Sequence, residues 1–144
     1  MSASNNMETN ILKLVFTNTT FALIGDATGL VGSGAAGSLY ISLHTSDPGE
    51  AGDQTTSESA YTNYVRVAVA RTTGGWTVAS GAWSNAAAIT FAACGVTGST
   101  ITHFGIGTAS SGAGVLLFSG TCSLVVSSGI TPAFAIGACS GTAD

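Results

Sequence analysis

The spacing of apolar residues along the chain changes once, near residue 37. Before that point Met7, Ile11, Leu12, Leu14 and Val15 recur at helical intervals. Glu8 falls in the first turn, where the helix dipole favours a negative charge, and Ser4, Asn5 or Asn6 can cap the start. The pattern predicts a helix over residues 5–16, stopped by the run TNTTF. Residues 25–37, GDATGLVGSGAAG, carry five glycines and predict an irregular arm.

After residue 37 the period becomes two. SLYISLH sets Leu39, Ile41 and Leu43 against Tyr40, Ser42 and His44, the pattern of a half-buried strand. A long polar connection follows, TSDPGEAGDQTTSESAYTN, with turn signals at Asp47-Pro48-Gly49 and Ala51-Gly52-Asp53. In YVRVAVART the alternation points Val65, Val67 and Val69 inward and Arg66 outward. WTVAS, AAAITFAA, TITHFGIGT, VLLFSGT, CSLVVSS and TPAFAIGA read as further strands bounded by Gly, Ser or Asn. Pro132 suits the head of an edge strand. No helical stretches separate these strands, so parallel βαβ units are excluded. The expectation is an all-β fold, an antiparallel β-sandwich or jelly roll of about eight strands. A short N-terminal helix and glycine-rich arm (residues 1–37) precede the β domain (residues 38–144).

Composition sharpens this. Charged residues are 7% of the 144, and Gly contributes 20, which suits short strands and turns. A charge-depleted surface of hydroxyls, amides and small apolar groups is easily desolvated against another protein. Lys13, Arg66 and Arg71 are the fixed cations in a chain of net charge −4, too few to displace phosphate counterions, so nucleic-acid binding is not expected. No segment reaches the length of a membrane span, and MSASNNMETN lacks the basic start and apolar run of a signal peptide, so synthesis in a cytoplasm is expected. Cys94, Cys122 and Cys139 are an odd number without a CxxC pair and read as buried free thiols.

Candidate chemistry is thin. His44 and His103 are isolated on separate strands and read as structural. Asp47, Glu50 and Asp53, with Glu58 after them, make an oxygen-rich loop, but their spacing lacks the alternating acidic order of a calcium-binding loop. Gly32-Ser33-Gly34 and Gly105-Ile106-Gly107 do not complete a dinucleotide fingerprint. Neither a catalytic residue nor a cofactor or metal site is expected. Arg66 is the exception of interest: Glu58 or Asp53 is expected to pair with it and fasten the acidic loop to the sheet. The aromatics, Tyr61 and Tyr64 among them, read as core packing.

The stretch SLYISLHTSDPGEAGDQTTSESAYTNYVRVAV resembles small tailed-bacteriophage virion proteins of the tail-fibre-like or capsid-decoration kind. These carry a strand ending L-H-T-x-D-P, an acidic Gly-rich loop with a Glu, then Y-x-x-Y-x-R, here Tyr61, Tyr64 and Arg66. SNAAAITF, THFGIGTASSGAGVLLFSG and ITPAFAIGA continue the resemblance in the same order, over residues 38–138. It implies a structural particle component located in the virion and made in the host bacterial cytoplasm. Within that group the short chain favours a decoration (cement) protein on the outer capsid lattice. Its partners are then the major capsid protein and copies of itself in a homo-oligomer, with no nucleic acid or membrane. Its contacts are expected at Asp47, Glu50, Asp53, Glu58, Tyr61, Tyr64 and Arg66, with Met7, Ile11, Leu14 and Val15 on the N-terminal arm. A tail or fibre component is the alternative, and a glycan- or receptor-binding module using Asp47, Glu50 and Asp53 is a third.

Overall fold

Ser4 begins the helix by accepting a hydrogen bond from the Met7 N–H at 3.3 Å, and Asn18, in the left-handed conformation, ends it. The computed structural model describes residues 2–143. In chain order its elements are α1 (Asn5–Thr17), β1 (Ser38–His44), β2 (Val67–Ala70), β3 (Trp76–Ala79), β4 (Ala82–Asn85), β5 (Ile89–Thr90), β6 (Ser99–Gly107), β7 (Leu116–Val126), β8 (Ala133–Phe134) and β9 (Ser140–Thr142). The fold is all-β, built of antiparallel sheets with one short N-terminal helix. It divides into two compact units, Met1–Ser38 with Ala70–Ala88 and Phe134–Asp144, and Leu39–Val69 with Ile89–Ala133.

In the first unit α1 lies on the three-stranded sheet β3-β4-β9. Leu12 and Phe16 are its buried residues. The Phe16 ring sits 4.7 Å from both Trp76 and Trp83, stacked on Trp83 at 21° and tilted 60° to Trp76. Aromatic burial of this kind dominates the energetics of a small unit. Gly141, paired with Trp83 across β4 and β9, leaves room for the indole: a Cβ there would stand 2.8 Å from Trp83 Cζ2. Arg71 closes the helix from outside. Its Nε donates to the Val15 carbonyl and its Nη2 to Leu14, each at 2.6 Å. Its Nη1 reaches Ala36 O at 3.1 Å and Ser33 Oγ at 3.3 Å, so one cation both caps the negative end of the helix and holds the glycine-rich arm.

Two strands depart from expectation in number. The Ser80-Gly81 pair, both at positive φ (51° and 73°), is a two-residue hairpin loop that leads into β4, a strand not among those expected. β9 was likewise not anticipated. Conversely, VLLFSGT and CSLVVSS are one strand, β7, not two. Gly120 suggested a break, but it lies opposite Phe104, whose ring covers it; a Cβ at Gly120 would stand 2.6 Å from Phe104 Cζ.

The second unit holds the sheet β2-β1-β6-β7, with β1–β6 and β6–β7 antiparallel. β1 is not half-buried as its alternation implied. Ser42 and His44 are as inaccessible as Ile41 and Leu43. The polar pair is tolerated because it is bonded: Ser42 Oγ lies 2.8 Å from His44 Nε2, and His44 Nδ1 lies 2.8 Å from the Thr56 carbonyl. Gly105 opposite Ser42 makes the space, since its Cβ would meet Ser42 Oγ at 2.6 Å and His44 Nε2 at 2.7 Å. Gly107 does the same for the buried Gln54. The Gly-Ile-Gly of β6 is thus a steric device.

Arg66 and Val65 exchange the places expected of them. Arg66 is buried, Val65 is 61% exposed, and the strand begins only at Val67. The reason is the set of acceptors around the guanidinium.

Candidate functional site: an arginine clasp on the acidic loop

The polar connection after β1 returns alongside it. Thr45 N–H donates to Ser57 O at 2.9 Å, Ser59 N–H donates to Leu43 O at 2.7 Å, and His44 bridges Glu58. This return carries Glu58 to Arg66. Arg66 Nε meets Glu58 Oε1 at 2.6 Å and Nη2 meets Oε2 at 2.7 Å, a bidentate pair. The remaining donors reach the loop after β6: Nη1 to Ala109 O at 2.9 Å and Nη2 to Gly112 O at 2.8 Å. One guanidinium therefore ties together two loops far apart in sequence. The Glu58 hydrogen bonds raise the Arg66 pKa above its usual value, against the opposing effect of burial.

Tyr64 completes the clasp. Its hydroxyl donates to Glu58 Oε1 at 2.9 Å and accepts from the Leu43 N–H at 3.0 Å. Burial raises its pKa well above the ordinary phenol value, so it remains a donor. The Tyr61 ring meets Tyr64 edge-on at 5.3 Å, and its hydroxyl donates to Ala92 O at 2.9 Å. Burial raises the Tyr61 pKa too, with Cys94 adding to it.

Of the two carboxylates considered for Arg66, Glu58 makes the pair. Asp53 turns inward on its own loop, accepting from the Thr55 N–H at 2.7 Å and Thr55 Oγ1 at 2.6 Å, which lowers its pKa. Asp47 is exposed and accepts from the Gly49 N–H at 2.9 Å, and Glu50 is exposed. Among the described residues no three His, Cys, Asp or Glu side chains converge as metal ligands. Met7 is exposed, while Ile11, Leu14 and Val15 are half-buried beside the inward Leu12 and Phe16. Cys94, Cys122 and Cys139 form no disulfide, and Cys122 is only half-buried; its surroundings still push its thiol pKa up to about 11. No helix among the described residues is long and apolar enough to cross a membrane.

The sequence reading missed Gln54. It is fully buried, its N–H donates to Ala113 O at 2.9 Å, its Oε1 accepts from the Ala109 N–H at 2.9 Å, and its Nε2 reaches Tyr40 O at 3.4 Å. Its polar neighbours in the loop concealed it; the paired glycines at 105 and 107, read as space for a side chain, were the available signal.

His44 gives the clasp a pH dependence. Thr56 O can only accept, so Nδ1 carries the proton and Nε2 accepts from Ser42, a neutral imidazole. Burial lowers its pKa below the ordinary 6.5. The unfolded chain therefore binds this proton at higher pH than the folded chain does. Stability is complete above the unfolded value and declines as pH falls through the window down to the depressed folded value. Chemical denaturation at about pH 7.5 and about pH 5.5 is expected to show the lower midpoint at the acid end. An unchanged or higher midpoint there contradicts a neutral buried His44.

The buried polar groups of this small antiparallel β fold hold the protein's own loops. The chain belongs to the family described as Podophage GP4 fiber I protein gp80, whose model matches residues 2–142. This is a family of tailed-phage virion proteins, which places the chain in the phage particle. No curated protein matches it.

Proposed function

We propose that this protein is a non-enzymatic subunit of a fibre on a tailed-phage particle, made in the host bacterial cytoplasm and acting through assembly contacts with neighbouring particle proteins and with copies of itself. The match of almost the whole chain to a fibre family carries this reading. The glycine-rich arm supplies a surface for such contacts: Leu23 is 80% exposed and Val31 61%. Arg71 and Asn18 hold the base of the arm, leaving those side chains outward. The clasp keeps the acidic loop in one conformation, so Asp47 and Glu50 are presented without an ordering cost at the moment of docking.

A second reading, a decoration protein bound to the major capsid protein, is favoured by one feature: no extended shaft segment occurs among the described residues. Copy number separates the two. Quantitative mass spectrometry of purified virions is expected to find a handful to a few tens of copies per particle, with density at the tail. Hundreds of copies on the head lattice would overturn the fibre reading and support decoration.

A further inference from the structure

A cleft of about 310 Å³ opens in the first unit where the C-terminal end of α1 meets β3 and the turn before it. Lys13, Thr17, Thr19, Thr73, Trp76 and Thr77 line it, and among the described residues no Asp or Glu does. Its volume stands at the lower end of the range for small-molecule sites, room for one sugar ring rather than a peptide.

The chemistry of the lining points to an anion. The half-buried Lys13 makes no ion pair among the described residues. The helix carbonyls that would otherwise attract its ammonium and repel an anion are already taken. Lys13 O accepts from the Thr19 N–H at 3.2 Å and from Thr17 Oγ1 at 2.8 Å, and Leu14 O and Val15 O accept from Arg71. Trp76 is wholly buried, and its indole Nε1–H finds no acceptor among the described residues. A buried donor left unpaired is rare and bears the cost of its desolvation. Trp76 forms part of the cleft wall, so a ligand oxygen lodged there is placed beside it.

One ammonium balances one negative charge, which suits a carboxylate better than a doubly charged phosphate. Thr73 and Thr77 are exposed, and hydroxyls such as theirs both donate and accept, as the hydroxyls of a sugar ring do.

We propose that this cleft binds a uronic acid, a sugar carrying a carboxylate, as a unit of an acidic polysaccharide. Lys13 takes the carboxylate, and Thr73 and Thr77 take ring hydroxyls. The inference stands on the cleft itself and holds whether the particle site is fibre or head.

Titration of the full chain with glucuronate, followed by two-dimensional NMR, tests it. Shifts are expected at residues 13–19 and 73–78, with a Kd on the order of 1 mM, as befits about a dozen non-hydrogen atoms. Glucose and acetate, each carrying half of the recognised chemistry, are expected to bind at least about tenfold more weakly. Lys13→Gln is expected to raise the Kd about tenfold and Thr77→Val about threefold. Neither side chain belongs to the buried core, so both variants keep the fold, and their urea midpoints check that they do. No shifts at ~20 mM glucuronate, glucose binding equal to glucuronate, or an unchanged Kd in Lys13→Gln each overturns the proposal. Acetate binding as tightly as glucuronate also overturns it, because the cleft then reads a carboxylate alone, as an acidic side chain of another protein would supply.

Discussion

Arg66→Ala is expected to lower the unfolding free energy by about 3–5 kcal/mol, a large share of the 5–15 kcal/mol typical of a domain. The loss does not come from the ion pair as an isolated attraction, because a buried pair repays much of its own desolvation. It comes from what is left behind. Glu58, with its side chain 18% exposed, keeps its charge without a counterion, and the Ala109 and Gly112 carbonyls lose their donor. Two loops held by one group are released together. Removing both charges, as in Arg66→Ala with Glu58→Ala, is expected to cost clearly less than the sum of the single changes, since the two share one interaction. Urea denaturation of the four proteins measures the cycle. A single-variant loss below about 1 kcal/mol would show that water replaces the guanidinium and that the clasp is dispensable.

Phe16→Ala is the second large effect, again about 3–5 kcal/mol. Phe16 is fully buried, and its ring is the piece that α1 inserts between Trp76 and Trp83. Nothing else on the helix can fill that space, because Leu12 is already packed. The cavity opens beside two indoles, so tryptophan fluorescence is expected to shift to the red while the folded baseline persists. Met7→Ala, on the exposed side of the same helix, is the control and is expected to stay within about 0.5 kcal/mol of the parent. Equal effects at the two positions would mean that α1 does not dock through Phe16.

What the amino-acid pattern made legible follows from how local each signal is. The helix was readable because its cap, its acidic first turn and its apolar spacing lie within 14 residues of one another. The all-β class was readable from period-two runs and glycine punctuation. Strand count was less so, for steric reasons: Gly120 looks like a break until Phe104, from the neighbouring strand, is laid across it. At the site, Glu58 and Arg66 were within reach of a sequence argument because few charges exist and these two are close in the chain. The orientation of Arg66 was not. Alternation assigns a residue to a face by hydrophobicity, and a cation satisfied by a carboxylate and two carbonyls can occupy the inner face against that rule. Gln54, Arg71 and the Ser42–His44 pair depend on partners 14 to 57 residues away or on glycines across a strand, and no window of sequence displays these together.

Both guanidiniums spend their donors within the protein, the buried Arg66 closing loops and the half-buried Arg71 closing a helix. Among the described residues Lys13 is then the one Lys or Arg side chain not engaged in this way. The exterior is thus a weak anion, unsuited to long-range attraction of neighbours. Contacts with neighbouring particle proteins are therefore expected to act at touching distance, through shape and excluded water, and to change little with the ionic strength of the medium.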